Sequence, residues 1–184
     1  MKKLFSGRIV TLPNLLSFFR LCLVPELILQ YTRPGGTRRV LILLAVSALT
    51  DVLDGRIARR FGMVSDLGKA LDPLADKLTQ AAMLFCLARR FPLMLLPLTL
   101  LAVKDICCAA ASLTAIGRTG RVESADWHGK LSTALLYALF ALHLAAPGIS
   151  GTLSRTLILL CSGVMVLSFV LYLRRFAAAS KAGG

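Results

Sequence analysis

The chain has 184 residues, of which 57% are hydrophobic and 17% are charged, and its formal net charge is +13. A soluble domain of this length has shorter apolar runs and more charge, so the composition excludes an ordinary soluble globular protein. The basic residues are spread over the ends of the apolar segments and form no single patch, which argues against nucleic acid as a partner.

Apolar segments follow one another along the chain, and each is a candidate to cross a bilayer, which takes about 20 residues. They cover residues 12–31, 40–57, 71–87, 93–116, 131–146 and 153–173. Backbone polar groups in lipid must be hydrogen-bonded internally, and strand-like alternation is absent, so the segments are predicted to be helices. The predicted fold is an all-α integral membrane protein, with six transmembrane helices in one bundle and a single domain over residues 1–184.

The ends of the segments predict the orientation in the membrane. Residues 1–10 mix basic side chains with Leu4, Phe5 and Ile9, which predicts a short helix on the membrane interface. Basic residues are more numerous at both termini and in the two turns on the same side than in the opposite turns. The positive-inside rule therefore places both termini in the cytoplasm, and we expect a multi-pass protein of the cell (inner or plasma) membrane.

Four aspartates interrupt the apolar pattern in two pairs. Asp51 and Asp54 are three residues apart, and Asp72 and Asp76 are four apart, so each pair lies on one face of a helix. A polar stretch over residues 60–68 predicts a turn that brings the pairs face to face. Carboxylates gathered near a membrane need counter-charge, and divalent cations with oxygen ligands supply it. Two facing helices could hold two ions about 4 Å apart, a geometry that favours phosphoryl transfer.

The stretch 51–76 resembles the signature of the CDP-alcohol phosphatidyltransferase family. The fixed positions of that signature are met by Asp51, Asp54, Gly55, Ala58, Arg59, Gly68, Asp72 and Asp76. The six-segment pattern extends the resemblance over nearly the whole chain. It implies a homodimeric membrane enzyme of phospholipid biosynthesis, in which an alcohol attacks a CDP-linked lipid and CMP is released. The implied cofactor is Mg²⁺ or Mn²⁺, with two ions per site.

The resemblance also implies roles for single residues. Asp51, Asp54, Asp72 and Asp76 match metal ligands, and Asp76 also matches the general base. The positions that match CDP-lipid-binding residues are Asn14, Ser17, Gly55, Arg59 and Ser65. Residues 14–17 resemble the opening segment of the family, which lines the same pocket, and Arg20 follows that segment. Both Arg20 and Glu26 lie inside the first apolar segment, where they could face the bundle interior.

The acceptor alcohol is predicted from stretches outside the signature. Residues 12–20, 71–77 and 129–133 are similar to the bacterial branch that joins CDP-diacylglycerol to glycerol 3-phosphate, giving phosphatidylglycerophosphate. A phosphorylated acceptor needs basic groups, and the candidates are Lys104, Arg118, Arg121 and Lys130. The pair Lys104-Asp105 stands where that branch more often has Arg-Glu, so the bidentate geometry of arginine is lost there.

Other readings stay open. Within the family, the acceptor could be phosphatidylglycerol, which would give cardiolipin and CMP, or an inositol phosphate. From another class, the aspartates could line the path of a divalent-cation transporter. Transporters place such groups near the membrane midplane in two repeated halves. Here the carboxylates gather towards one face and are not repeated, which favours the enzyme.

Overall fold

The computed structural model describes residues 12–61, 66–119 and 127–182. All regular structure within these ranges is helical, which confirms the all-α class. The helices are α1 (Leu12–Thr32), α2 (Thr37–Phe61), α3 (Asp66–Ala88), a short 3₁₀ helix (Pro92–Met94), α4 (Leu95–Thr119), α5 (Trp127–Ala145) and α6 (Gly151–Ala182). The interfacial helix predicted for residues 1–10 lies outside the described residues.

Three stretches are long and apolar enough to cross a membrane. Among the described residues these are Asn14–Thr32, Pro92–Ala110 and Gly151–Arg174, which lie in α1, in the 3₁₀ helix with α4, and in α6. In α2 the apolar run stops at Asp51, and in α3 it starts only after Lys77. The apolar run therefore covers only about half of each helix. The chain is therefore a helical membrane protein, whereas a bundle of six spans stays a prediction.

The predicted turn over residues 60–68 is too wide. Helix α2 continues to Phe61 and α3 already begins at Asp66, so Gly68 lies inside a helix. Hydropathy marks where the apolar run ends, but a helix continues as long as its backbone hydrogen bonds do, and here they extend into polar sequence. Ser65 lies outside the described residues.

The chain forms two compact units, Met1–Cys86 and Leu87–Gly184. In the first unit, α1 and α2 form a hairpin that turns at Gly35 and Gly36. Gly35 has a positive φ of 70°, and a Cβ on Gly36 would lie 1.7 Å from the carbonyl oxygen of Gln30. Only glycine allows this approach, so the turn fixes how α1 lies against α2.

The buried face of α1 changes character along its length. Its first half buries the polar residues Asn14, Ser17 and Arg20, and the next turns bury Leu23 and Leu27. These positions recur every three or four residues, which is the spacing of one helix face. The apolar half provides ordinary packing, and the polar half needs hydrogen-bonding partners from other helices.

In the second unit, α4 and α5 both pack against α6. His143 of α5 is buried, and its Nδ1 lies 2.9 Å from the carbonyl oxygen of Leu139. A carbonyl only accepts, so Nδ1 carries the proton and Nε2 accepts from the hydroxyl of Ser154, 2.9 Å away. At the same end, Arg90 donates to the carbonyl oxygen of Pro147 at 2.7 Å.

Candidate active site

Arg20 is the centre of the candidate site in the first unit. Its side chain is only 1% exposed. Nη1 donates to Oδ1 of Asp51 at 2.6 Å and to Oδ1 of Asp76 at 2.8 Å. Nη2 lies 3.1 Å from Oδ1 of Asp72. One guanidinium of α1 therefore joins a carboxylate of α2 to two carboxylates of α3.

Ser17 supports the same cluster from one helical turn earlier. Its hydroxyl donates to Oδ1 of Asp72, the oxygen that also accepts from Arg20. Asn14 is buried on the same face of α1. Ser17 and Arg20 of α1 therefore form a floor under the carboxylates.

The carboxylates are open to the surroundings, although the guanidinium is not. The side chains of Asp51, Asp72 and Asp76 are 44%, 39% and 41% exposed, against 1% for Arg20. The single positive charge of Arg20 offsets only part of the charge of these three carboxylates. Their oxygens are accessible and of the kind that a divalent cation prefers.

The acidic groups of the cluster suit a hard divalent cation such as Mg²⁺, because they are all carboxylates. Among the described side chains, however, no three acidic, histidine or cysteine groups are already arranged around one ion position. Arg20 lies where the carboxylates meet. The side chain of Asp54, which α2 carries one turn after Asp51, is not among those described. Two metal ions stay a prediction.

The remaining predicted residues are spread over both units. Gly55 and Arg59 lie in α2, although the Arg59 side chain is not described. Lys104 of α4 is half-buried, and Lys130 is exposed in the first turn of α5. Arg118 lies in α4 without a described side chain, and Arg121 lies outside the described residues. The predicted acceptor-phosphate residues therefore stay predictions.

The central role of Arg20 is what the sequence reasoning missed. Arg20 was expected only to follow the opening segment and to face the interior. The signal was present, because an ionisable residue in the middle of an apolar helix is costly unless it has partners and a function. The aspartates in the stretch 51–76 were the obvious partners for it.

The chain matches a known protein family over most of its length. The family model described as CDP-alcohol phosphatidyltransferase matches residues 10–173. The match includes Arg20 together with all four aspartates, so it covers the whole candidate site as well as most of every helix.

Several curated proteins are similar to the chain. A protein named cardiolipin synthase (CMP-forming), from Streptomyces coelicolor, is 44% identical over 40% of this chain and 36% of its own length. A protein named probable phosphatidylglycerophosphate synthase, from Mycobacterium tuberculosis, is 33% identical over 77% of this chain and 70% of its own length. One named CDP-diacylglycerol–glycerol-3-phosphate 3-phosphatidyltransferase, from Pectobacterium atrosepticum, is 33% identical over 71% of this chain and 75% of its own length.

The relatives thus differ in how much of their length is matched, from about a third in the first to three quarters in the last. The family match spans nearly the whole chain and rests on no single relative. The chain belongs to the CDP-alcohol phosphatidyltransferase family.

Proposed function

We propose that this protein transfers the phosphatidyl group of CDP-diacylglycerol to glycerol 3-phosphate, forming phosphatidylglycerophosphate and releasing CMP. The observation that carries the proposal is the meeting of Asp51, Asp72 and Asp76, from two helices, in an open and negatively charged cluster. The acceptor is taken from the names of the two relatives that match more than two thirds of both chains.

The reaction exchanges one phosphorus–oxygen bond for another. The acceptor hydroxyl oxygen forms a bond to the lipid-side phosphorus, and the bond from that phosphorus to the bridging oxygen of the diphosphate breaks, so that CMP leaves. The hydroxyl proton goes to the carboxylate of Asp76. Asp76 suits this role because its side chain is partly exposed, so a bound hydroxyl can reach it.

Divalent cations would be held by Asp51, Asp54, Asp72 and Asp76. When bound, such ions neutralise the diphosphate and make the phosphorus easier to attack. Mg²⁺ is the expected ion, with Mn²⁺ as the alternative, because both prefer carboxylate oxygens.

The substrates would be held by residues around the cluster. Asn14, Ser17, Gly55, Arg59 and Ser65 would hold the CDP-lipid. A guanidinium such as that of Arg59 matches the oxygens of a phosphate with two parallel hydrogen bonds. The phosphate of the acceptor would be held by basic side chains, and the candidates are Lys104, Arg118, Arg121 and Lys130.

We further propose that all six helices cross the cell membrane, with both termini in the cytoplasm, and that the enzyme works as a homodimer. The positive-inside distribution of basic residues supports the orientation. The polar halves of α2 and α3 would then lie towards the cytoplasmic face, where a water-soluble acceptor is available. The dimer is carried by the family resemblance alone.

A second candidate within the family is synthesis of cardiolipin, with phosphatidylglycerol as the acceptor. It is favoured by one observation, the 44% identity to the Streptomyces coelicolor protein, although that match covers only 40% of this chain. Phosphatidylglycerol carries a single negative charge on its phosphodiester, so it would need fewer basic side chains than the phosphate monoester of glycerol 3-phosphate does. The two candidates share the donor, the aspartates and the release of CMP.

The test is to supply the purified full-length protein with CDP-diacylglycerol, Mg²⁺ and one acceptor at a time. Glycerol 3-phosphate, phosphatidylglycerol and inositol phosphate are the three acceptors to compare. We expect CMP and phosphatidylglycerophosphate with the first alone. Cardiolipin formed from the second would transfer the assignment to the other branch, and CMP with none of the three would refute the proposed function.

A further inference from the structure

Arg20 contacts the carboxylates that a bound cation would need. All three of its described carboxylate contacts are made to Oδ1 oxygens, at 2.6, 2.8 and 3.1 Å. A carboxylate has two oxygens, so a cation can be held by Oδ2 while Arg20 donates to Oδ1. The positive charge of Arg20 nevertheless lies next to all three carboxylates, and like charges repel, so it opposes the binding of a cation there.

The carboxylates also need Arg20 when no cation is present. Like charges a few ångströms apart repel one another, and on two different helices that repulsion would push α2 and α3 apart. The buried guanidinium cancels part of it and fixes each carboxylate by a charge-assisted hydrogen bond. Ser17 adds a further donor to Asp72, so the arrangement is held from the floor of the site.

We propose that Arg20 is a positioning residue that serves as the built-in counter-ion of the aspartate cluster. It holds Asp51, Asp72 and Asp76 together before a divalent cation binds, and its positive charge lowers the affinity of the cluster for that cation. The proposal rests on the proposed function only in taking these carboxylates to be metal ligands.

The test measures binding and stability without substrate. Wild type and Arg20→Gln are purified in detergent, freed of metal with a chelator and titrated with Mn²⁺ by calorimetry. Removing a positive charge next to the ligands is expected to tighten Mn²⁺ binding by about tenfold. Without metal, Arg20→Gln is expected to have a lower Tm than wild type, and Mn²⁺ is expected to raise its Tm by more than it raises that of wild type.

Two further variants separate charge from shape. Arg20→Lys keeps the charge but loses the planar fork, so its metal-free Tm should lie between those of wild type and Arg20→Gln. The double variant Arg20→Gln/Asp51→Asn removes one carboxylate as well and is expected to regain part of the metal-free Tm. If Arg20→Gln alone unfolds when metal is removed, a folded double variant with a measurable Tm still tests the proposal.

The matched control is Arg38→Gln, which removes the same charge from an exposed residue in the first turn of α2. Arg38 is 13 residues from Asp51 along that helix, or about 20 Å, which is beyond the range of screened charges. The affinity of Arg38→Gln for Mn²⁺ should match that of wild type.

Unchanged or weaker Mn²⁺ binding by Arg20→Gln would overturn the counter-ion role, and so would a double variant no more stable than Arg20→Gln. Neither result touches the proposed function, which depends on CMP release by the wild-type protein. Conversely, a wild-type protein that releases no CMP with any acceptor would refute the function, even where the Mn²⁺ affinities behave as expected.

Discussion

The two compact units bury polar side chains in opposite ways. In the second unit, both ring nitrogens of His143 have a partner, the Leu139 carbonyl and the Ser154 hydroxyl, and the ring is buried. In the first unit, Arg20 is equally buried, but its partners are three carboxylates that are themselves about two-fifths exposed.

The difference separates a structural polar group from a functional one. A histidine with both nitrogens satisfied needs nothing from outside, and its network links α5 to α6. One guanidinium shared among three carboxylates neutralises only part of their charge. If the cluster takes up a cation, as proposed, turnover should depend on the first unit in ways that it does not depend on the His143 network.

The largest expected effect on turnover comes from removing divalent cations. A chelator should reduce CMP release to background, because the excess negative charge would then repel the diphosphate of the donor. Added Mg²⁺ or Mn²⁺ should restore it. The measurement is CMP formation from CDP-diacylglycerol before and after metal is added back. Full activity in excess chelator would remove metal ions from the site.

Asp76→Asn should lower kcat by about a thousandfold, since a general base contributes about 10²–10⁴-fold. The amide keeps the shape of the side chain, so the Tm should change little. CMP release and thermal unfolding measure the two effects. Glu26→Gln is the matched acid-to-amide control in α1, where Glu26 accepts from Gln30 at 2.6 Å. Near-normal turnover by Asp76→Asn would exclude it as the base.

Lys130→Ala should raise the KM for glycerol 3-phosphate by about tenfold, the loss of roughly 1.4 kcal/mol of binding. The KM for CDP-diacylglycerol should stay unchanged, because the acceptor carries the phosphate that Lys130 would bind. Arg155→Ala, which removes another exposed positive charge in the second unit, is the control. Equal increases in both KM values would place Lys130 outside the acceptor pocket.

Ser154→Ala should leave kcat and both KM values unchanged, although it destabilises the second unit. Nε2 of His143 would lose its donor, and a buried polar atom without a partner costs about 1–3 kcal/mol. The Tm in detergent should fall by more than for Thr152→Ala, which removes an exposed hydroxyl in the first turn of α6. A loss of turnover at unchanged Tm would contradict the assignment of this network to structure.

Local features of the site could be predicted from the sequence. The spacing within each aspartate pair follows from the helical repeat, and both pairs do lie within single helices, α2 and α3. The all-α class followed from the long apolar runs. Both inferences need only neighbours along the chain, and for that reason they held.

What could not be predicted depends on packing between helices. The spacing does not say which carboxylates Arg20 would reach, because that is set by how α1 lies against the other helices. The turn over residues 60–68 was also predicted too wide, since hydropathy does not detect a helix that continues into polar sequence. Polar residues likewise shorten the apolar parts of α2 and α3, and α5 has 19 residues that include His128, Lys130 and His143. Three stretches of the described chain therefore pass as spans by length and composition.

The half-apolar helices α2 and α3 have a consequence for how the proposed lipid donor and its water-soluble acceptor would meet. In the proposed six-span arrangement, water would reach into the membrane as far as the level at which α2 and α3 turn polar. A donor whose fatty tails remain among neighbouring lipids can present its headgroup at that level. The enzyme would then not need to extract its lipid substrate from the bilayer.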